Sequence, residues 1–213
     1  MGKEYDIVAK LYDPLLYFFM KPVRKAVLNE LLTYKDKAIL DICCGTGNQM
    51  KLLAKHRFNN LHCLDLSASM LEIAKKSDYP IHIYNEDATK TNFDNESFDI
   101  AIISFALHEK DRITQENFIK ETHRLLKNDG ILLVVDFVFD ELTTIFSKIG
   151  IIFVERLAGG EHYTYFKNYI QNNGLSSLIK EDKFKLTKKN RKLFTGITVS
   201  LYRKVQDIDS FCL

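Results

Sequence analysis

Several kinds of segment are missing from this sequence of 213 residues. No run of about 18 apolar residues occurs, so the sequence predicts no membrane-spanning helix. The first residues lack the apolar core of a signal peptide, and we therefore expect a cytoplasmic location. The formal net charge is only +2, which gives no general attraction to nucleic acid. Repeats, low-complexity tracts and a second-domain linker are also missing, so a single α/β domain is expected.

Cysteine is scarce, and its four residues do not form a metal-binding pattern. Cys43, Cys44 and Cys63 fall at the ends of predicted core strands, and Cys212 lies close to the last residue. None of them forms the C-x-x-C pair that is typical of zinc sites. The pattern favours small buried side chains in a reducing compartment, and no metal site is expected.

The most informative stretch, Ile39–Met50, is an apolar run followed by a glycine turn. Asp41 stands near the end of the run, and Gly45 and Gly47 come just before a segment with helical character. A strand, a tight glycine turn and a helix let the backbone approach a ligand at the mouth of a parallel sheet. Because Asp41 is an acid, the pattern favours a ligand with positive charge over a pyrophosphate.

Strand-like and helix-like segments alternate from residue 37 to residue 136. The predicted strands are 37–42, 60–65, 81–85, 98–104 and 131–136, with a turn at 128–130 before the last one. Nearly continuous apolar strands are typical of parallel sheets that helices cover on both faces. After a helical region at 139–180, two strand-like runs joined by a turn at 188–191 indicate an antiparallel hairpin. We therefore expect an α/β fold with a Rossmann-like, seven-stranded, mostly parallel sheet, an antiparallel C-terminal hairpin, and helices on both faces.

Acids also follow the second and third predicted strands. Asp65 ends strand two, and Asp87 follows strand three. An acid about 20 residues beyond a glycine turn commonly binds a ribose diol. The dinucleotide fingerprint G-x-G-x-x-G fails, because Met50 occupies the position of its third glycine. The pattern favours a nucleoside with a cationic group over a dinucleotide.

With these residues the sequence resembles the class I S-adenosylmethionine (SAM)-dependent methyltransferases. The family's first motif is an acid followed by alternating glycines, matched here by Asp41, Gly45 and Gly47, with Cys43 in place of the first glycine. If strand one continues through Cys43 with ordinary β dihedrals, the missing glycine has no cost. A positive φ at this position would be unfavourable for cysteine.

Further segments carry the same resemblance, which covers residues 5–136 well and 137–203 more loosely. Segment 64–71 matches the ribose-binding segment, 86–88 the adenine-edge segment, and 125–130 the turn before strand five. The start, from Tyr5-Asp6 to Tyr12-Asp13, resembles the subgroup of quinone-ring C-methyltransferases and phospholipid N-methyltransferases.

The resemblance implies SAM as the cofactor and a set of residues that hold it. Asp41 would meet the α-ammonium group, Asp65 the ribose hydroxyls and Asp87 the adenine amino group. The aromatic face of Tyr12 could attract the sulfonium. The implied cofactor-binding residues are Tyr12, Asp41, Cys43, Gly45, Gly47, Asp65, Leu66, Met70, Asp87, Ala88 and Ser104.

The predicted activity is transfer of a methyl group from SAM to a small-molecule or lipid-type acceptor by in-line displacement. A general base is needed only if the acceptor atom loses a proton, and His108 and His162 are the candidate catalytic residues. A structural or surface role for either histidine stays open. The sequence after strand four, Ser104–Leu107, does not match the Asn/Asp-Pro-Pro-aromatic motif of base-modifying enzymes, and no Pro-Cys occurs. Nucleic acid is therefore not expected as a partner.

Two other functions stay open at this point. A SAM-binding module without catalysis could act through partner binding, because the reaction requires no obligatory catalytic residue. An NAD-dependent oxidoreductase is less favoured, since Met50 and the C-terminal hairpin do not fit it. The basic segment 180–192 is either the charged edge of a hairpin or a peripheral contact with anionic lipid. The oligomeric state is not predicted.

The expected organisation is a single methyltransferase domain over residues 1–213. Its parts are an N-terminal helical cap at 1–35, a SAM-binding core at 36–136, a helical acceptor-site insertion at 137–180 and a β-hairpin at 181–203. The acceptor pocket would be aromatic and apolar, built from the Tyr12–Met20 cluster and the insertion.

Overall fold

The computed structural model describes residues 20–192 and 196–206 of the chain. In these residues the strands are β1 (Ile39–Ile42), β2 (Leu61–Asp65), β3 (His82–Asn85), β4 (Phe98–Ser104), β5 (Leu126–Phe137), β6 (Phe184–Lys192) and β7 (Ile197–Lys204). The helices are α1 (residues 20–31), α2 (Asn48–Lys55), α3 (Ala68–Ala74), α4 (Arg112–Leu125), α5 (Ile145–Leu157), α6 (Gly160–Gln171) and α7 (Leu175–Leu178). None of these helices is both long enough and apolar enough to cross a membrane.

All seven strands belong to one sheet, in the order β3-β2-β1-β4-β5-β7-β6. Strands β1 to β5 pair in parallel, whereas β7 runs antiparallel to both of its neighbours, β5 and β6. The predicted fold class is therefore confirmed. The chain passes from β2 and β3 on one side of β1 to β4 on the other, which makes the carboxyl end of β1 the usual place for a ligand.

Helices cover both faces of the sheet. Side chains of a strand alternate between its faces, and Ile39 and Leu40 of β1 belong to two different apolar clusters. Ile39 shares its cluster with Met50 of α2, and Leu40 shares the other with Phe118 of α4. Both residues of β1 are fully buried, as the sequence pattern of a parallel strand predicts.

The helical region after β5 divides into separate helices at two glycines. Gly159 precedes α6 and Gly174 precedes α7, each with a positive φ that suits glycine. The domain subdivision given above, and the role of this region as an acceptor-site insertion, stay predictions.

The predicted hairpin turn at 188–191 is wrong. These residues lie inside β6 and pair with β7 in register. Lys188 Nζ lies 2.7 Å from Glu30 Oε2, and Arg191 is paired with Asp140. Cross-strand pairing and these ion pairs keep the charged segment extended, and they override its local turn preference. Because β6 is the last strand of the sheet, its lysines fit the charged-edge interpretation.

The predicted turn at 128–130 is a bulge within β5 rather than a separate turn. Leu126 pairs with Phe98 and Ile131 pairs with Ile100, so β5 has extra residues between its two pairs. Asp129 takes a φ of +60° inside this bulge. A bulge absorbs residues without ending the strand, which explains why the turn residues did not mark its start.

Candidate functional site

Asp41 lies inside β1, at the carboxyl end of the sheet, and is only 2% exposed. Its Oδ1 atom has no hydrogen-bond partner among the described residues. Burial, together with the nearby negative charge of Asp65, raises the pKa of Asp41 to about 8, although Arg24 acts in the opposite direction. A buried acid of this kind is stabilised by a cation placed against its free oxygen.

Cys43 adopts a φ of +59°, and β1 ends one residue earlier, at Ile42. Strand β1 therefore does not continue through Cys43, and the absence of glycine at this position has a conformational cost. The chain turns at once after β1, and the N–H of Cys44 donates to the Leu64 carbonyl at 3.0 Å. The left-handed conformation costs a residue other than glycine about 1–2 kcal/mol. Burial, followed by the charge of Asp65, raises the pKa of the Cys43 thiol.

Asp65 holds the glycine turn and the start of α3 together. Its two carboxylate oxygens accept the N–H groups of Gly45 and Ser67, each at 2.8 Å. Gly45 has a φ of +55°, and no heavy atom lies within 4 Å of the place that a Cβ would take, so its outer side is open. Gly47 has a φ of +70°, and a Cβ there would lie 3.1 Å from the Cβ of Ala74. The first glycine thus leaves room for a ligand, and the second allows close packing between α2 and α3.

The residues predicted to border the adenine lie beyond β2 and β3. Leu66 is 71% exposed, and Met70 of α3 is half-buried. Asp87 is exposed, and its Oδ1 accepts the N–H and the hydroxyl of Thr89, both at 2.8 Å. Ala88 is buried. The structure thus leaves the second oxygen of Asp87 and the Leu66 side chain accessible at the same end of the sheet as Asp41.

Ser104 is the last residue of β4 and is half-buried. Tyr12 lies outside the described residues, as does most of the Tyr12–Met20 cluster.

The two predicted histidines lie together in a network of acids. His108 is buried, and its Nδ1 lies 2.6 Å from Oδ1 of Asp136, the penultimate residue of β5. His162 Nδ1 lies 3.1 Å from Glu155 Oε2, and its Nε2 lies 3.2 Å from Glu109 Oε1. His108 Nε2 lies 3.7 Å from the same Glu155 oxygen. The histidines were predicted separately, and α5 and α6 bring them to one place.

Charges within this network shift its titrating groups. Burial lowers the pKa of His108, but Asp136 outweighs it, so the pKa is raised overall. Burial likewise opposes the charge on His162, whereas hydrogen bonds with Glu109 and Glu155 raise its pKa to about 9. Burial opposes the charge of Glu109, but the hydrogen bond with His162 and the positive charges of His108, His162 and Lys110 together lower its pKa.

The sequence did not predict the acidic partners. Asp136 follows an apolar strand, as Asp41 does, and the same strand-end rule could have found it. Glu109 and Glu155 carry no such signal, because each lies in a segment where its orientation depends on packing.

Aromatic rings surround His108. The ring centroid of Phe137 lies 4.7 Å from that of His108, and those of Phe166 and Tyr169 lie 6.1 Å and 6.3 Å away. The network is therefore shielded from water on several sides, which strengthens every electrostatic interaction within it.

The chain is similar to known proteins in sequence and in fold. Residues 39–130 match the family described as "Methyltransferase domain". The chain is 37% identical to a demethylmenaquinone methyltransferase of Leptospira interrogans, over 46% of this chain and 42% of that protein. It therefore spans less than half the length of that relative. A demethylmenaquinone methyltransferase of Chlamydia caviae is 25% identical, over 94% of each chain.

The fold is also found in a solved structure of a SAM-dependent methyltransferase from Methanosarcina mazei. The two chains share 19% identity with a TM-score of 0.61, over 81% of this chain and 94% of that one. The sheet order and the glycine turn thus define a Rossmann-like fold of the methyltransferase type. Residues 39–130, which include the glycine turn, thus match the methyltransferase domain, and the chain is similar to the SAM-dependent methyltransferases named above.

Proposed function

We propose that this chain transfers a methyl group from SAM to a small-molecule acceptor. The observation that carries the proposal is the buried Asp41 carboxylate, which has a free oxygen and lies next to the glycine turn. A dinucleotide would bring a pyrophosphate to this turn, whereas SAM brings an ammonium group. Met50, fully buried in α2, also stands where the dinucleotide fingerprint requires glycine.

The fit of SAM to this end of the sheet rests on the chemistry of the residues present. Asp41 would accept from the α-ammonium, and the N–H groups of the turn around Gly45 would meet the carboxylate. Asp65 is half-buried, and each of its oxygens accepts a single backbone N–H, which leaves lone pairs for the ribose hydroxyls. Asp87 and Leu66 would border the adenine. SAM supplies a methyl group on a good leaving group, so alignment of the acceptor provides most of the catalysis.

The acceptor is proposed to have a large apolar part, such as a quinone-type ring or a lipid. The outer face of α5 and the segment before it support this proposal, because large apolar side chains there are 59–81% exposed. These side chains are Leu142, Ile145, Phe146, Ile149, Phe153 and Leu157. Two relatives are named for methylation of demethylmenaquinone, which is also a molecule of this kind.

His108 and His162 are proposed to lie on the acceptor side of the site. His108 follows β4, and His162 belongs to α6. Glu109 contacts His162 and is also close enough to the glycine turn for its charge to raise the pKa of Cys43. A role as general base applies only to acceptors that lose a proton. The cytoplasmic location, the peripheral contact with lipid and the lack of a nucleic-acid partner stay predictions.

Calorimetry with SAM and with NAD tests the cofactor. SAM should bind and NAD should not, and the opposite result would refute the proposal. Asp65→Ala should weaken SAM binding by more than about 1–3 kcal/mol, because two hydroxyl groups lose their acceptor. Asp78→Ala, at an exposed loop position, is the matched control and should leave binding unchanged.

A labelled-SAM screen over quinones, phospholipid head groups and small amines tests catalysis. Label should appear in an apolar acceptor. SAM binding without transfer to any acceptor would favour the module without catalysis, and transfer only to small polar amines would refute the apolar acceptor.

A further inference from the structure

The network around His108 contains three side chains whose possible metal-donor atoms lie within 4.8 Å of one another. We propose that His108, His162 and Glu155 form a binding site for a divalent transition-metal ion. The proposal stands on the geometry of these residues and does not depend on methyl transfer. The sequence pattern does not predict this site, because the residues come from three separate segments.

The donor atoms lie close together, and one pair already has the spacing found in metal sites. Glu155 Oε2 lies 3.1 Å from His162 Nδ1 and 3.7 Å from His108 Nε2, and one donor atom from each residue lies within 4.8 Å of the others. Two donors that are each about 2.1 Å from a metal ion lie about 3.0–3.4 Å apart in octahedral or tetrahedral geometry. The distance between Glu155 and His162 lies in this range, and side-chain movements that bring His108 closer would let an ion bind between the three atoms.

The outer nitrogen of each histidine is held by a carboxylate. Asp136 Oδ1 lies 2.6 Å from His108 Nδ1, and Glu109 Oε1 lies 3.2 Å from His162 Nε2. With an ion bound, these contacts would hold the proton on the outer nitrogens, and the lone pairs of the inner nitrogens would face the ion. Metal-bound histidines have the same partners, which fix the ring and make the ligand nitrogen more basic.

Two of the inner atoms are buried and have only each other as a close polar contact among the described residues. Glu155 is 4% exposed, its Oε2 lies 3.1 Å from His162 Nδ1, and neither atom makes a further hydrogen bond. Oδ2 of the fully buried Asp136 also lacks one. Buried polar atoms are normally satisfied, and a cation between Glu155 Oε2 and His162 Nδ1 would pair with both atoms. Two protonated histidines paired with the acids are the alternative, and the experiment below separates the two.

The ligand set indicates the class of metal. Two imidazoles and one carboxylate suit Zn²⁺, Fe²⁺, Mn²⁺ and Co²⁺, whereas Mg²⁺ and Ca²⁺ prefer sites made of oxygen alone. Three protein ligands also leave at least one coordination position for water or another oxygen ligand. The rings of Phe137 and Phe166 next to His108 would restrict solvent access to the ion.

The test is a titration of the full chain, treated with chelator, with Co²⁺ and then with Zn²⁺. One Co²⁺ per chain should bind with visible absorption bands of a nitrogen and oxygen site, and Zn²⁺ should displace it. Glu155→Gln and His162→Asn should each weaken binding at least tenfold. His82→Asn removes an exposed histidine on β3 and should leave binding unchanged.

Several results would overturn the proposal. These are no binding at one ion per chain in the wild type, or an equal loss of affinity in His82→Asn and His162→Asn. An intense near-ultraviolet band from thiolate ligands would assign the ion to cysteines such as Cys44 instead. His162 is only partly buried, so His162→Asn should fold even if Glu155→Gln does not, and thermal unfolding of each variant checks this. Metal binding without SAM binding would leave this site standing and refute only the proposed function.

Discussion

Replacing Asp41 by Asn should make the protein without ligand more stable at neutral and alkaline pH while it weakens SAM binding. The reason is that the charged form of Asp41 is buried with a free oxygen, and its pKa rises from the usual 3.8 to about 8. The folded state therefore keeps a proton on this group that the unfolded state releases. A ligand that brings a positive charge reverses the situation, because the charged carboxylate is then paired.

The sign and the size follow from the two pKa values of this group. Below pH 3.8 both states are protonated, and Asp41 has no effect on the pH dependence of stability. As the pH rises toward 8, unfolding releases one proton, so the free energy of unfolding falls by up to about 1.4 kcal/mol per pH unit. The Asn side chain does not titrate, and the variant should lack this part of the slope.

Urea unfolding of both proteins between pH 5 and pH 8 measures this effect. The slope is a better observable than the absolute stability, because a buried Asn amide adds its own cost, which does not change with pH. In the same proteins, calorimetry should show SAM affinity reduced at least about tenfold in Asp41→Asn, as expected for a lost hydrogen bond to a charged group. If both proteins have the same pH slope, Asp41 is already ionised and paired, and the argument for a cation site at this residue fails.

Two further predictions concern the turn and the region near α4. Cys43→Gly should be about 1 kcal/mol more stable than Cys43→Ala in urea unfolding, because only glycine adopts its φ of +59° without strain. A Cys43→Gly variant no more stable than Cys43→Ala would show that the turn relaxes instead. Burial opposes the charge of Glu121, yet hydrogen bonds from Arg124 and Thr91 lower its pKa to about 2. The stability from this group should be complete above its usual pKa of 4.5 and should fall as the pH drops toward 2, and Glu121→Gln should remove that part of the acid sensitivity in thermal unfolding. Equal acid sensitivity in both proteins would contradict this.

The parts of the site that the sequence predicted are those that follow from strand ends. Asp41, Asp65 and the glycine turn could be found because parallel strands bring their carboxyl ends to one edge of the sheet. The spacing of the motif residues in the sequence could not predict the conformation of Cys43. Its positive φ occurs together with a hydrogen bond from the Cys44 N–H in the turn to the Leu64 carbonyl in β2, and these residues are far apart in sequence.

The C-terminal hairpin was likewise only partly predictable from the sequence. Its antiparallel direction was predictable, because neighbouring strands that are close in sequence cannot be parallel without a crossover. The position of its turn was not predictable, since Lys188 and Arg191 find partners in Glu30 of α1 and in Asp140. Ion pairs between residues that are far apart in the chain cannot be predicted from the local sequence.

In helix α5 the burial of the side chains is the opposite of what their polarity predicts. Its buried positions include Ser147 and Glu155, whereas Phe146 and Phe153 are 81% and 63% exposed. A helix that only packed on the sheet would turn its aromatic side chains inward, because their burial is worth more than that of any acid. Natural proteins break local rules of this kind mainly at functional sites. The inverted orientation is explained if Glu155 must reach the two histidines and if the outer face contacts an apolar acceptor, so one helix would serve both the proposed metal site and the proposed acceptor site.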